Sequence, residues 1–263
     1  IEVFIHEWRG LGSSSLRAGR DVNWGYRELL EFDLAAALDQ TLLHAHDTRL
    51  MLGGHSLGSQ FGALLAAPRY PDCAGLVVVA GGAPYWRCFR GSRAVLLRSV
   101  FTMLPLIARA VGHFPGRQLG FAGREARNVM IDWAETGRRG SYNLDSIAAD
   151  LEAAMAALNT PKLGLRLQDD WFVTPASLDH LLDKIGGSIA SFPPSSWAVR
   201  RITSAGCRRP WRWPRPLLPG TVIRARMRSV ERRNAPTTLR AGPDPAGRGP
   251  RLHSPVEREW PPA

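Results

Sequence analysis

One stretch of this 263-residue chain decides its fold: RLMLGGHSLGSQFGALLAAP, at residues 49–68. A short apolar run leads into Gly54-His55-Ser56-Leu57-Gly58, and a segment rich in Gly and Ala follows. The pattern G-x-S-x-G between such neighbours predicts a sharp strand-to-helix turn with the serine at its tip. The glycines two residues before and after the serine are expected to remove clashes that side chains would create there.

The same turn would supply two parts of an acyl-transfer site. It lifts the Ser56 hydroxyl above the sheet at the N-terminus of the next helix, where the helix dipole stabilises negative charge. The backbone N–H of Leu57 lies at that helix end and is a candidate oxyanion donor. A glycine-rich turn with an incidental serine is the alternative interpretation of these five residues.

Short apolar runs alternate with amphipathic segments on both sides of this turn. Residues 1–5, 49–52 and 74–82 are predicted strands, and residues 26–42 and 57–67 are predicted helices. Strands alternating with helices predict an α/β fold, a mostly parallel sheet with helices on both faces.

Residues 85–159 have helical periodicity and no convincing strand, so they are predicted to form a helical cap over the sheet edge. Strand and helix patterns resume after it and end near Gly186. Residues 1–187 are therefore predicted to form one domain with 19 basic and 19 acidic side chains. The apolar cap is expected to favour a hydrophobic acyl or alkyl group through Leu96, Leu97, Phe101, Met103 and Leu106.

Residues 188–263 differ sharply in composition from this domain. They hold 13 of the 20 prolines, 15 arginines and four acidic residues, a net charge of +11. Such a segment buries too little apolar surface to offset its ordering entropy, so a disordered basic tail is predicted. Within it, RRPWRWPRP at residues 208–216 interleaves Arg with Trp, and nucleic-acid binding is the alternative to a merely solvated tail.

Four segments together resemble the α/β-hydrolase superfamily, in its serine aminopeptidase-like and monoacylglycerol lipase-like branch. They are EWRGLGSSS, GGHSLGSQFGALLA, AGLVVVAGG and LQDDWFVTP, and the resemblance covers about residues 1–187. It implies a serine hydrolase that cleaves an ester or amide through an acyl-enzyme, with Ser56 as nucleophile. The family's acid follows the strand after the cap, which makes Asp170 the candidate and Asp169 the second choice.

The resemblance also implies a histidine after the acid, on a loop that follows one more strand. Only His180, on a predicted helix, and His253, in the tail, follow Asp170. His113 precedes the acid and His55 is expected to be structural, while no His-Gly oxyanion loop precedes the elbow. We hypothesise a hydrolase that has lost its beginning and changes reading frame near residue 190. A non-catalytic scaffold without the triad histidine is the alternative.

Other classes of site find no support in the sequence. Cys73, Cys88 and Cys207 have no disulfide-framework spacing, which predicts a reducing, cytoplasmic location. Histidines and cysteines never cluster at metal-ligand spacing and no nucleotide-binding fingerprint occurs, so neither metal nor cofactor is predicted. Residues 94–112 are apolar but interrupted by Arg98 and Pro105, so no transmembrane segment is predicted.

Overall fold

The computed structural model describes residues 2–45, 48–120, 122–168 and 170–190, and the backbone of residues 222–226. The predicted disorder of residues 188–263 therefore lies almost entirely outside the described residues and stays a prediction.

The described chain alternates strands and helices, as the sequence predicts. In chain order its elements are β1 (Glu2–His6), a π-helical segment (Glu28–Leu34), α1 (Ala35–Ala45), β2 (Met51–His55), α2 (Leu57–Arg69), β3 (Gly75–Val79), a 3-10 turn (Trp86–Cys88), α3 (Ser92–Val111), β4 (His113–Pro115), α4 (Gly116–Leu119), β5 (Arg124–Ala126), α5 (Arg127–Arg139), α6 (Leu151–Ala157), β6 (Lys162–Leu165), α7 (Pro175–Lys184) and β7 (Val222–Arg226).

A parallel sheet with strand order β2-β3-β6 forms the centre of the domain and confirms the predicted α/β class. β3 is the middle strand, and its GLVVV sequence is mostly buried, as expected for a strand covered on both faces. Because the strands are parallel, the residues that follow β2 and β6 emerge at the same edge of the sheet. The candidate nucleophile and the candidate acid follow these two strands.

Two strand pairings were not predicted. β1 pairs antiparallel with β7 instead of joining the parallel sheet. Beyond α7, Lys162 donates its N–H to the carbonyl of Ser188 over 2.9 Å and accepts the N–H of Ala190 over 2.8 Å. These bonds form a parallel bridge between Lys162 and Ile189. A further parallel partner of β6 therefore begins after Gly186, where the sequence predicts the last element to end.

The cap prediction is correct for its helices and wrong in excluding strands. β4 and β5 form a short antiparallel pair within it, with His113 opposite Ala126. The long helix α3 packs on α5, and the rings of Phe101 and Trp133 meet edge to face at 5.0 Å. By length and composition alone α3 could cross a membrane. Because it packs on α5, α3 is a helix of the folded domain, with one buried face and one exposed face.

A buried carboxylate joins the cap to the core. Asp132 of α5 is 5% exposed, and its Oδ2 accepts the backbone N–H of Tyr26 over 2.7 Å. Burial raises the pKa of Asp132 to about 6, although the hydrogen bonds from Tyr26 and Ser146 oppose the shift. The folded protein therefore holds a proton at Asp132 more tightly than the unfolded chain does.

This pKa shift predicts a specific pH dependence of stability. Asp132 favours folding at low pH, and this contribution is lost as the pH rises through about 6. Relative to Asp132→Asn, which stays neutral, the free energy of unfolding of the wild type should fall by about 3 kcal/mol between roughly pH 4 and 7. Urea denaturation of both proteins measures it. Asp21→Asn, at an exposed position, is the control and should keep the pH dependence of the wild type. If the unfolding free energy of Asp132→Asn changed with pH as that of the wild type does, the prediction would be contradicted.

Glycines let the backbone of α2 lie directly against the sheet. A Cβ on Gly53 would lie 2.5 Å from the carbonyl oxygen of Val77, and one on Gly54 would lie 2.6 Å from the carbonyl carbon of Gly58. Gly62 of α2 faces Gly53, with its Cβ position 3.4 Å from the Gly53 Cα. The predicted steric role of Gly54 therefore agrees with the contacts. For Gly58 it does not, since a Cβ there meets only Trp8, at 3.7 Å.

The two glycines of the motif should therefore tolerate alanine differently. Gly54→Ala forces backbone atoms apart and is expected to lower the free energy of unfolding by about 1–3 kcal/mol. Gly58→Ala should cost less than about 1 kcal/mol, since the methyl group finds room and alanine favours the helix. Urea denaturation followed by circular dichroism compares them. Equal destabilisation by both substitutions would show that another interaction sets the turn.

Candidate active site

Ser56 occupies the strained turn between β2 and α2 that its sequence predicts. Its φ of 55° and ψ of −123° lie in a region that non-glycine residues rarely adopt. Such a conformation costs about 1–3 kcal/mol and persists only where the surroundings impose it. Here the Ser56 N–H donates to Val79 over 3.0 Å, and its carbonyl accepts the N–H of Ser59 over 3.1 Å. The backbone on both sides therefore fixes the turn.

The side chain of Ser56 is available for chemistry. It forms no capping hydrogen bond with α2, and the residue is exposed. The N–H of Leu57 belongs to the first turn of α2, whose amides have no acceptor within the helix. Ser56, the candidate nucleophile, and the Leu57 N–H, the candidate oxyanion donor, thus occupy neighbouring positions at the positive end of a 13-residue helix.

Ser56 lines a cavity of about 380 Å³ beside the carboxyl edge of the sheet. Its walls come from the turn after β1, from α2, from α5 and from the loop before α7, and most of them are apolar. The larger apolar side chains are Trp8, Leu11, Trp24, Leu29, Leu57, Val129, Met130, Trp133, Phe172 and Val173. An apolar group of a ligand could therefore lie next to the serine.

The cap residues expected to favour a hydrophobic ligand group do not line this cavity. Leu97 and Phe101 are buried in the core, while Leu96, Met103 and Leu106 are exposed. That expectation is wrong because α3 has apolar side chains on two faces, and periodicity alone does not show which face meets the site. The cap contributes instead through α5.

The turn after β1 forms one wall of the cavity with Trp8, Arg9 and Leu11. Arg9 donates from Nε to Asp33 over 2.7 Å, and this hydrogen bond raises the pKa of Arg9. Gly10 and Gly12 have φ values of 84° and 45°, which suit glycine. The RGLG segment at residues 9–12 is therefore a turn that the Arg9–Asp33 hydrogen bond holds against the π-helical segment.

Asp170 follows β6 at the same sheet edge as Ser56 but does not line the cavity. Its Oδ1 accepts the backbone N–H groups of Phe172 and Val173 over 2.9 and 3.1 Å. Phe172 and Val173 do line the cavity. Asp170 thus shapes the turn that carries two wall residues, and its role as the orienting acid stays a prediction. Asp169 lies outside the described residues.

Neither His180 nor His113 lines the cavity that contains Ser56. His180 of α7 has its Nε2 3.2 Å from the carbonyl oxygen of Gly140, and its ring lies 5.2 Å from that of Tyr85. His113 belongs to strand β4 of the cap, and burial lowers its pKa. His253 lies outside the described residues. Among the described histidines, only His55 lines the cavity.

Sequence reasoning missed Gln60, which also lines the cavity. It is 5% exposed and lies one helical turn after Ser56 on α2, the spacing that could have identified it. Its Nε2 donates to the carbonyl of Gly82 over 2.9 Å, while its Oε1 has no partner among the described residues. A buried amide oxygen without a partner is an acceptor for a ligand or a water molecule.

The described residues contain no group of three or more His, Cys, Asp or Glu that could hold a metal ion. Cys73 and Cys88 are free thiols, and burial raises the pKa of both. Cys207 lies outside the described residues.

Comparison with solved structures finds similar chains at low identity. A Paleococcus ferrophilus monoacylglycerol lipase has 13% identity and a TM-score of 0.45, with 71% of each chain covered. Est816, described as an N-acyl homoserine lactone degrading enzyme, has 17% identity and a TM-score of 0.42, with 70% of this chain and 71% of that chain covered. A thioesterase domain from the curacin biosynthetic pathway has 14% identity and a TM-score of 0.34, with 70% of this chain and 72% of that chain covered.

These structural similarities say nothing about what this chain acts on, and no curated protein matches it. A family comparison gives the stronger result. The model of the family described as serine aminopeptidase, S33 matches residues 1–192, well over half of the chain and the whole of the described elbow and cavity. With its nucleophile-elbow geometry and parallel sheet, the chain belongs to the serine aminopeptidase S33 family and has an α/β-hydrolase fold.

Proposed function

We propose that the protein is a serine hydrolase that cleaves an ester or amide bond through an acyl-enzyme. The observation that carries the proposal is the strained, exposed Ser56 at the start of α2, opening into an apolar cavity. Strain in the backbone at this position costs conformational energy. Hydrolases of this fold use such a strained turn to expose their nucleophile.

In the proposed reaction the Ser56 Oγ attacks the carbonyl carbon of the substrate while a base accepts the hydroxyl proton. The oxygen of the tetrahedral intermediate accepts a hydrogen bond from the Leu57 N–H, and the dipole of α2 stabilises its charge. The proton then passes to the leaving alcohol or amine, and water releases the acyl group by the reverse sequence. Asp170 is the proposed partner of the base.

The cavity favours a substrate with an apolar acyl or alkyl group. Trp24, Met130 and Trp133 offer wide apolar surfaces, each able to contribute through burial of ligand area. Gln60 supplies an amide oxygen that would accept a hydrogen bond from a donor on the substrate. We propose a small hydrophobic ester or amide.

A second candidate function is a non-catalytic protein that keeps the hydrolase scaffold. The observation that favours it is the engagement of His180 with Gly140 and Tyr85, away from the serine. The bridge between Lys162 and Ile189 points the other way, because it begins the parallel partner of β6 that should precede the loop carrying the base. Translating the coding sequence in the other two frames beyond residue 190 tests whether a strand followed by Gly-His occurs there.

The reactivity of Ser56 is tested directly with a fluorophosphonate probe on the full chain. We expect covalent labelling of the wild type and none of Ser56→Ala, because the probe requires an activated serine hydroxyl. Ser99→Ala, at an exposed position on α3, is the matched control and should label normally. If the folded wild type is not labelled, the hydrolase proposal is wrong and the non-catalytic scaffold is the function that remains.

The role of His180 is tested by the same assay. Its Nε2 is occupied by the Gly140 carbonyl and its ring packs near Tyr85, so His180→Ala should leave the labelling rate of Ser56 unchanged. A small loss of stability is expected instead, since that aromatic contact disappears. Loss of labelling in a folded His180→Ala protein would make His180 the base. His253→Ala completes the comparison.

The cytoplasmic location stays part of the proposal, and the free thiols of Cys73 and Cys88 support it. For residues 208–216 we propose a solvated basic segment without a nucleic-acid partner. Salt-dependent binding to single-stranded DNA, lost on deleting residues 188–263, would contradict this.

A further inference from the structure

The outward face of α3 is apolar, which is unusual for the solvent side of a surface helix. Its exposed side chains include Val95 at 67%, Leu96 at 56%, Met103 at 48% and Leu106 at 54%. At about 100° per residue, these four positions lie within roughly 100° of one another around the helix. They form one strip along the helix, with exposed Ser99 as a polar residue among them, and we call it the apolar stripe.

Arginines surround the apolar stripe. Arg98 and Arg109 lie along one side of it and Arg93 along the other, and all three are exposed. The guanidinium of Arg98 also lies 5.2 Å from the ring centre of Trp86, just before the helix. An apolar strip flanked by cationic side chains is typical of a helix that lies in the interface of a membrane.

The charge of the whole region has the same sign. Residues 73–124 contain seven arginines and no acidic residue, whereas the rest of residues 1–187 has 12 basic and 19 acidic side chains. All seven arginines are exposed, and none forms a salt bridge with a described carboxylate. Residues 73–124, which include α3, thus carry a net charge of +7, and the cap as a whole, residues 85–159, carries +4. Its electrostatic complement is an anionic surface.

The opposite face of α3 determines how the helix could meet a membrane. Leu97, Phe101 and Leu104 are buried against the domain, and Phe101 contacts Trp133 of the cavity wall. A helix that crossed the bilayer would have to leave this packing and bury Arg98, so α3 would lie along the surface. The helix α3, with Phe101 packed on Trp133, would then lie between the membrane and the cavity.

We propose that α3 docks the protein on an anionic lipid surface, with the apolar stripe inserted among the lipids and the flanking arginines on the headgroups. The basic tail is a poor occupant of this face, because residues 188–263 carry a net charge of +11 and would be repelled by the cap. The same charge disfavours two caps meeting face to face. This docking goes beyond the proposed hydrolysis and does not depend on it.

Vesicle co-sedimentation of the full chain tests the proposal. We expect binding to vesicles of equal parts phosphatidylcholine and phosphatidylglycerol, weaker binding at high salt, and little binding to pure phosphatidylcholine. Leu96→Gln/Leu106→Gln should abolish most of the binding. Each of Arg93→Gln, Arg98→Gln and Arg109→Gln should weaken it about fivefold, the equivalent of about 1 kcal/mol for one arginine near the surface.

The matched control is Phe32→Gln/Leu43→Gln, which removes two side chains of similar exposure, 54% and 59%, from other helices. It should bind as the wild type does. Unchanged vesicle binding by a folded Leu96→Gln/Leu106→Gln protein would overturn the proposal and assign the binding to the basic tail. So would failure of the wild type to bind anionic vesicles.

Hydrogen exchange and sedimentation distinguish the occupants of the stripe. Vesicles should protect amides in residues 92–111 and leave those of residues 35–45 unchanged. Protection confined to residues 191–263 would contradict docking through α3. A wild-type dimer that Leu96→Gln/Leu106→Gln converts to a monomer would show a second copy on the stripe, and would likewise overturn the proposal.

Discussion

The close approach of α2 to β2 is the constraint on which the rest of the site depends. Gly53 and Gly62 let the two backbones nearly touch, and Gly54 lets the chain pass the next turn of the helix. No smooth connection joins a strand to a helix packed so closely, so the residue between them takes a φ of 55°. The strain at Ser56, the direction of its side chain and the position of the Leu57 amide all follow from this packing.

The elbow could be predicted from sequence because its signal is local. Five residues predict the turn, and the flanking runs predict the strand and the helix. The cavity walls were not predictable in this way, because Trp24, Met130 and Phe172 come from distant segments and are brought together only by tertiary packing. Gln60 is an intermediate case, since its spacing from Ser56 was visible but its unpartnered amide oxygen was not.

The cap shows the limit of periodicity most clearly. A helix that is apolar on one face is easily assigned to a core, but α3 is apolar on two faces with different surroundings. Phe101 faces inward towards Trp133, and Leu106 faces outward among exposed arginines. Sequence predicted the helix and its hydrophobicity correctly, and it could not say which apolar side chains the site would use. The strands β4 and β5 were missed because three-residue pairings leave almost no periodic signal.

The backbone at the elbow has a consequence for how this scaffold could change chemistry. The contacts that impose the turn involve main-chain atoms of Gly54, Gly58 and Val79 and leave the Ser56 side chain out. A side chain of different chemistry, such as a thiol or a carboxylate, could therefore occupy this position without redesign of the surrounding fold. A scaffold of this kind separates the placing of a nucleophile from its identity, so the two can evolve independently.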